Sequence, residues 1–136
     1  MRPETLLDFM GVAEHLKCNM RHSRMTDHRR ESVAEHTYRL CVFAWLVKEE
    51  FPDCDMDKVM KMCLFHDLGE ALTGDIPAFV KTDDDRKTEG DALTLLTAML
   101  PGKERQELDE LFGELEREET MEAKIVHALD KMETLI

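Results

Sequence analysis

Long apolar runs are missing from this chain. No stretch approaches the roughly 18 residues that a membrane span requires. The N-terminus, MRPETLLDFMG, carries acids in its first turns and lacks the pattern of a signal peptide. No CxxC pair is present. Cys18, Cys41, Cys54 and Cys63 are scattered, and without an export signal they read as reduced thiols. Positive charge is scarce: 18 Lys and Arg face 30 Asp and Glu, a net charge of -12. So acidic a chain does not coat a nucleic-acid polymer or an anionic membrane surface. Polar/apolar alternation with β-branched residues is nearly absent, which argues against a β architecture. A Gly-rich phosphate loop and a Ser or Cys nucleophile motif are also lacking. These absences point to a soluble, cytoplasmic domain with a small-molecule or protein partner.

What is present is helical period. The 136 residues fit one domain, and 43% hydrophobic content is enough to bury a core. Residues 4–18 place Leu6, Phe9, Met10, Ala13 and Leu16 on one stripe, so they predict a first helix. Residues 19–31 read as a loop. Ser32 and Glu35 form a capping box that opens a second helix, running to about Glu50 ahead of Pro52. A third starts near Asp55, turns Val59, Met60 and Cys63 inward and reaches His66-Asp67. The stretch LGEALTGDIPAFVK continues briefly as helix and then turns at its Gly and Pro residues. Further helices cover TDDDRKTEGDALTLLTAML, the acidic segment 103–118 with Leu108, Leu111, Phe112 and Leu115, and TMEAKIVHALDKMETLI. The last of these places Ile125, Leu129, Met132 and Ile136 on its stripe. The fold class is all-α.

Charge is uneven along the chain. Residues 1–40 balance at +1, while the remaining 96 carry 11 basic and 24 acidic side chains. RHSRMTDHRR, residues 21–30, holds four Arg and two His. An isolated basic loop is usually a solvated one. In an acidic chain it also reads as a local anion site, because the planar guanidinium fork suits phosphate.

The informative residues are polar ones on apolar faces. His36 shares a face with Leu40, Phe43, Ala44 and Val47. His66 shares one with Val59, Cys63 and Glu70, and Asp67 lies about 100° further round. Asp130 stands one turn after Val126 at the edge of the last stripe. A lone inward His is more often a hydrogen-bonded core residue than a ligand. Four such groups on three helices weigh differently, because burying two unpaired carboxylates costs several kcal/mol, about what a cation between them removes. Two imidazoles with two carboxylates suit one first-row transition metal ion, Mn, Co, Fe, Ni or Zn. His15, His28 and His127 fall on polar faces or in a loop and read as surface residues.

The order His36, His66-Asp67, Asp130 resembles the H…HD…D signature of the HD-domain metal-dependent phosphohydrolases. ESVAEHTYRL (31–40), FHDLGEALTGDIPAFVK (65–81) and ALDKMETL (128–135) are similar to the corresponding blocks of the HD-domain 5'-deoxynucleotidases. The resemblance implies one HD domain over residues 1–136, a bundle of five to six helices. It implies His36, His66, Asp67 and Asp130 as metal ligands, Glu70 at the attacking water and Asp75 near the sugar hydroxyls. It further implies Arg21 on the phosphate and a homodimer. Lys81 joins Arg21 as a candidate cation for the phosphoryl oxygens, as do Arg24 and Arg29. Where the family often has a Trp associated with preference for the 2'-deoxy sugar, this chain has His22, which implies a weaker preference. Members usually continue for several helices beyond the final Asp, whereas this chain stops six residues after Asp130. The expectation is that either those helices are missing or a short form leaves apolar surface open on its last helix, some of which the implied dimer would cover.

The activity so implied is removal of phosphate from (deoxy)nucleoside 5'-monophosphates by metal-bound water, with Glu70 as general base or acid. Two alternatives stand beside it. One is another HD hydrolase, a cyclic-nucleotide phosphodiesterase or a nucleoside triphosphohydrolase. The other is a non-catalytic helical module with a structural metal and an acidic face for a basic partner, which would need neither Glu70 nor the Arg21 cluster.

Overall fold

Pro3 stands at the first position of the opening helix, where its missing N–H costs nothing. The computed structural model describes residues 1–74 and 83–136. Among them, α1 (Pro3–Ala13) and α2 (His15–Cys18) lead into a hairpin of β1 (Met20–Arg24) and β2 (Arg30–Ser32). There follow α3 (Val33–Leu46), a 3-10 turn (Lys48–Glu50), α4 (Met56–Phe65), α5 (Glu70–Thr73), α6 (Asp83–Ala98), α7 (Gly102–Arg117) and α8 (Met121–Leu135). Six of the helices exceed two turns, and the fold is all-α apart from the hairpin. None is long and apolar enough to cross a membrane.

Side-chain caps fix the starts of the three helices that matter most. The Ser32 hydroxyl accepts from Glu35 N–H, while Glu35 accepts from Ser32 N–H, so the capping box is present at α3. Asp55 accepts from Lys58 N–H at α4, and Thr120 from Ala123 N–H at α8. These three helices pack on one another through Leu40, Ala44, Val59, Met62, Cys63, Val126 and Leu129, all buried. Leu108, Leu111 and Leu115 of α7 close one side of this core.

Three expectations need correction. Residues 19–31 are not a loop but mostly an antiparallel hairpin, with Met20 opposite Ser32 and Arg24 opposite Arg30. Its tip is held by Asp27, which accepts from Arg29 N–H, and by His28 in the left-handed region at φ 69°. The strand signal was hidden because the inward positions of β1 carry Arg21 and Ser23, which are polar. The first helix breaks at Glu14. Lys17 N–H and Asn19 N–H bond back within the α2 turn, and His15 Nδ1 donates to the Ala71 carbonyl. Phe9 and Leu16 remain half-buried, whereas Leu6 and Met10 of the expected stripe face solvent. On α8, Ile125 and Leu129 are buried as expected, but Met132 and Ile136 are exposed and Val126 and Glu133 are buried instead. The buried face is shifted from Met132 towards Val126 and Glu133, the side that meets His36 of α3.

Candidate metal centre

The capping box sets His36 one turn into α3, on the face turned to α4 and α8, and its side chain is fully buried. His66 caps the C-terminal end of α4. Its Nδ1 donates to the Cys63 carbonyl at 2.8 Å, which leaves Nε2 as the free lone pair. From there the chain tightens: Leu68 N–H bonds to Phe65 O and Glu70 N–H to Asp67 O. Asp67 lies in this turn, and Asp130 comes from the middle of α8.

These elements bring His36, His66, Asp67 and Asp130 together, with one ligand atom of each within 4.8 Å of the others. His36 Nε2 is 2.6 Å from Asp130 Oδ1 and 3.8 Å from Asp67 Oδ2. His66 Nε2 is 3.0 Å from Asp67 Oδ2 and 3.4 Å from Asp130 Oδ1, yet it aligns with neither and is buried without a hydrogen bond. A buried ring nitrogen with an unused lone pair, facing two carboxylates, fits a cation. All four expected ligands therefore occupy one place.

Their electrostatics express the same demand for positive charge. Burial pulls both imidazoles down, but the neighbouring carboxylates outweigh it: His36 titrates above its ordinary value, and His66 well above. Burial would raise Asp130, yet the hydrogen bond from His36 and the charge of the nearby His66 imidazole hold it well below the usual carboxylate range. Asp67 is also lowered, mainly by the charge of His66 acting against burial. Without a bound cation, protonated imidazoles balance the carboxylates. For a histidine raised in the folded state, this stability is complete below the unfolded value of about 6.5 and is lost as pH rises through the folded value. The lowered Asp67 and Asp130 contribute stability above about pH 3.9, lost only as pH falls through their folded values. Metal binding runs opposite to the imidazole term, since ligation needs neutral rings. From about pH 6.5 upward, the histidine contribution to the melting temperature of chelated protein should decline, and the increment from added metal should grow. Thermal melts with and without Co²⁺ across that interval check this. An increment independent of pH would count against ligation by the two histidines.

Arg21 lies beside the cluster. Its Nε donates to Glu31 at 2.9 Å, one terminal nitrogen donates to the Thr134 hydroxyl at 3.0 Å, and the other is 3.9 Å from Asp67. The other candidate arginines are engaged elsewhere. Arg29 forms a two-pronged pair with Glu35 at 2.7 and 3.0 Å, and Arg24 donates to the His28 carbonyl. His22 is exposed, and strand alternation turns it to the face opposite Arg21. Glu70 opens α5. It is not one helical turn beyond His66, because α4 stops at Phe65; it follows Asp67 by three residues through the tightened turn. Asp75 and Lys81 lie outside the described residues. His15, His28 and His127 lie outside the cluster, His15 and His28 exposed and His127 partly so. Burial pushes the Cys63 thiol up to about 12, which makes it a core side chain and no nucleophile.

Two acidic residues escaped the sequence reading. Glu133, on α8, is 2% exposed and accepts from His36 Nδ1. Glu31, on β2, is buried and holds Arg21. Glu133 stands seven residues after Val126 and four after Leu129, so a buried face counted from Val126 contains it. Glu31 carried no comparable signal, because the hairpin was not visible in the sequence.

Known proteins share this arrangement of sequence and fold. The HD domain family model matches residues 13–136. A 5'-deoxynucleotidase of Homo sapiens is 36% identical over 110 residues, 79% of this chain and 53% of that protein. One of Xenopus laevis is 33% identical over 138 aligned positions, 98% of this chain and 67% of that protein. The crystal structure of a "predicted metal-dependent phosphohydrolase" from Magnetospirillum magnetotacticum matches with a TM-score of 0.88 at 30% identity, covering 98% of this chain and 69% of that one. This chain spans about half the length of the human relative. With its family match running from residue 13 to residue 136 and its H…HD…D residues gathered at one point, the chain belongs to the HD domain family.

Proposed function

We propose that this chain is a metal-dependent phosphohydrolase that releases phosphate from nucleoside 5'-monophosphates, 2'-deoxynucleotides foremost. The observation that carries this reading is the placement of Arg21. A purely structural metal centre would need no guanidinium at its edge, whereas here Glu31 and Thr134 fix one 3.9 Å from a ligand carboxylate. Relatives named 5'-deoxynucleotidases support the substrate class. One Mn, Co, Fe, Ni or Zn ion suits the mixed imidazole and carboxylate donors. Bound there, a divalent cation supplies an acidified water and charge against the phosphoryl oxygens.

The chain's own groups do the rest. Arg21 holds the substrate phosphate beside the four ligands and neutralises charge developing on it. Glu70, as general base or acid, moves the proton of the attacking water or leaving oxygen. Asp75 takes a sugar hydroxyl, and Lys81 a phosphoryl oxygen. His22, exposed on the other face of β1, has no part at the sugar in this reading. Residues 1–136 act as one domain. Four free cysteines suit a reducing cytoplasm. Exposed Met132 and Leu135 on α8, with Ile136 just past its end, suit a homodimer.

Phosphate release from a panel of 5'- and 3'-monophosphates, 5'-triphosphates and cyclic nucleotides tests the reading. The expected outcome is release from 5'-monophosphates; release from triphosphates or cyclic nucleotides alone would replace it with another HD-type hydrolase. Within that assay, Arg21→Ala should lower kcat/KM by about 10- to 150-fold, the equivalent of one charged hydrogen bond of roughly 1.5–3 kcal/mol. Arg21→Lys should restore only part of it, lacking the fork.

A further inference from the structure

The second group of acids around His36 lies away from the face that would hold the metal. Glu31, His36 and Glu133 each place a ligand-type atom within 4.8 Å of the other two. Positive charge is already supplied there: Arg21 donates to Glu31, and Arg39 stands 3.5 Å from Glu133. The group is therefore complete without a second cation, and its use must be sought in what it does to His36.

We propose that Glu133 is a positioning residue that acts through His36 to fix and strengthen the metal centre. This rests on the reading of His36, His66, Asp67 and Asp130 as ligands. The His36 ring is fully buried and bracketed on α8: Nε2 faces Asp130, and Nδ1 donates to Glu133, one turn further along the same helix. An imidazole that donates from Nδ1 presents the lone pair of Nε2, so Glu133 selects the tautomer that can bind metal. A carboxylate acceptor also makes Nε2 more electron-rich than a neutral acceptor does. His66 provides the comparison within the same site, because its Nδ1 donates to the uncharged Cys63 carbonyl. The two imidazoles are thus unlike ligands: His36 is backed by an anion and His66 by a peptide group. α8 delivers both a direct ligand, Asp130, and the residue that orients another.

The test uses metal-free protein titrated with Co²⁺ against a chelating indicator, in wild type, Glu133→Gln and Glu133→Asp. Glu133→Gln keeps an acceptor of the same shape without its charge. It should weaken Co²⁺ binding about 10- to 100-fold while the helical circular dichroism is unchanged. Glu133→Asp keeps the charge at shorter reach and should lie between Gln and wild type. In the Co²⁺-loaded protein, two exchangeable imidazole N–H resonances should appear with paramagnetic shifts, and Glu133→Gln should move one and leave the other. Wild-type Co²⁺ affinity in Glu133→Gln, with or without a lower melting temperature, would reduce Glu133 to packing and overturn the proposal. Should Glu133→Gln not fold, wild-type affinity in Glu133→Asp together with an unmoved N–H resonance would overturn it equally. Failure of wild type itself to bind Co²⁺ would instead overturn the ligand assignment beneath it.

Discussion

His66→Ala is expected to lose bound metal and turnover together. The imidazole it removes is the one whose buried Nε2 faces both Asp67 and Asp130 without a hydrogen bond to either. Its loss leaves two partly buried carboxylates with one imidazole fewer to offset them, and three donors in place of four. Asp67→Ala removes a charged ligand at the same point and should have the same outcome. Metal analysis after purification, alongside phosphate release at saturating substrate, checks both variants. Full metal occupancy in both would remove the four residues as ligands. Retained turnover in either would show that the chemistry lies elsewhere.

Glu70→Gln should keep the metal and the fold but lose kcat by roughly 100-fold or more, the usual contribution of a general acid or base. Its backbone is fixed from two sides. Glu70 N–H bonds to the carbonyl of the candidate ligand Asp67 at 3.0 Å, and the Asn19 side chain donates to Glu70 O. His15, through the Ala71 carbonyl, ties the same turn to α2. These bonds hold the Glu70 backbone three residues past Asp67, a candidate ligand. Kinetics at saturating substrate with parallel metal analysis separate the cases. Unchanged kcat would make Glu70 a helix-end residue, and a fall in metal content would make its effect indirect.

The cluster of four candidate ligands was legible because burial and polarity conflict at their positions. His36 and His66 sit on apolar faces, and a carboxylate beside such a face calls for a partner. The start of α3 was legible through its capping box, since Ser32 and Glu35 satisfy each other locally. The hairpin was not, because the residues β1 turns inward, Arg21 and Ser23, are polar and lack the apolar alternation of a core strand. Glu133 was hidden for a related reason. Counting the α8 stripe from Ile125 gives Met132 an inward place that the folded chain assigns to an acid, because His36 offers that acid a donor. The helical period places Glu70 one turn beyond His66, whereas α4 ends at Phe65 and the following bonds span three residues.

The most direct measurement is a titration of chelator-stripped protein with divalent metal, reading metal bound per chain and phosphate released from a 2'-deoxynucleoside 5'-monophosphate in the same samples. One metal ion per chain is expected, with phosphate release rising in proportion to occupancy and reaching its plateau at one equivalent. Release from stripped protein, or one bound equivalent with no release from any 5'-monophosphate, would contradict the account.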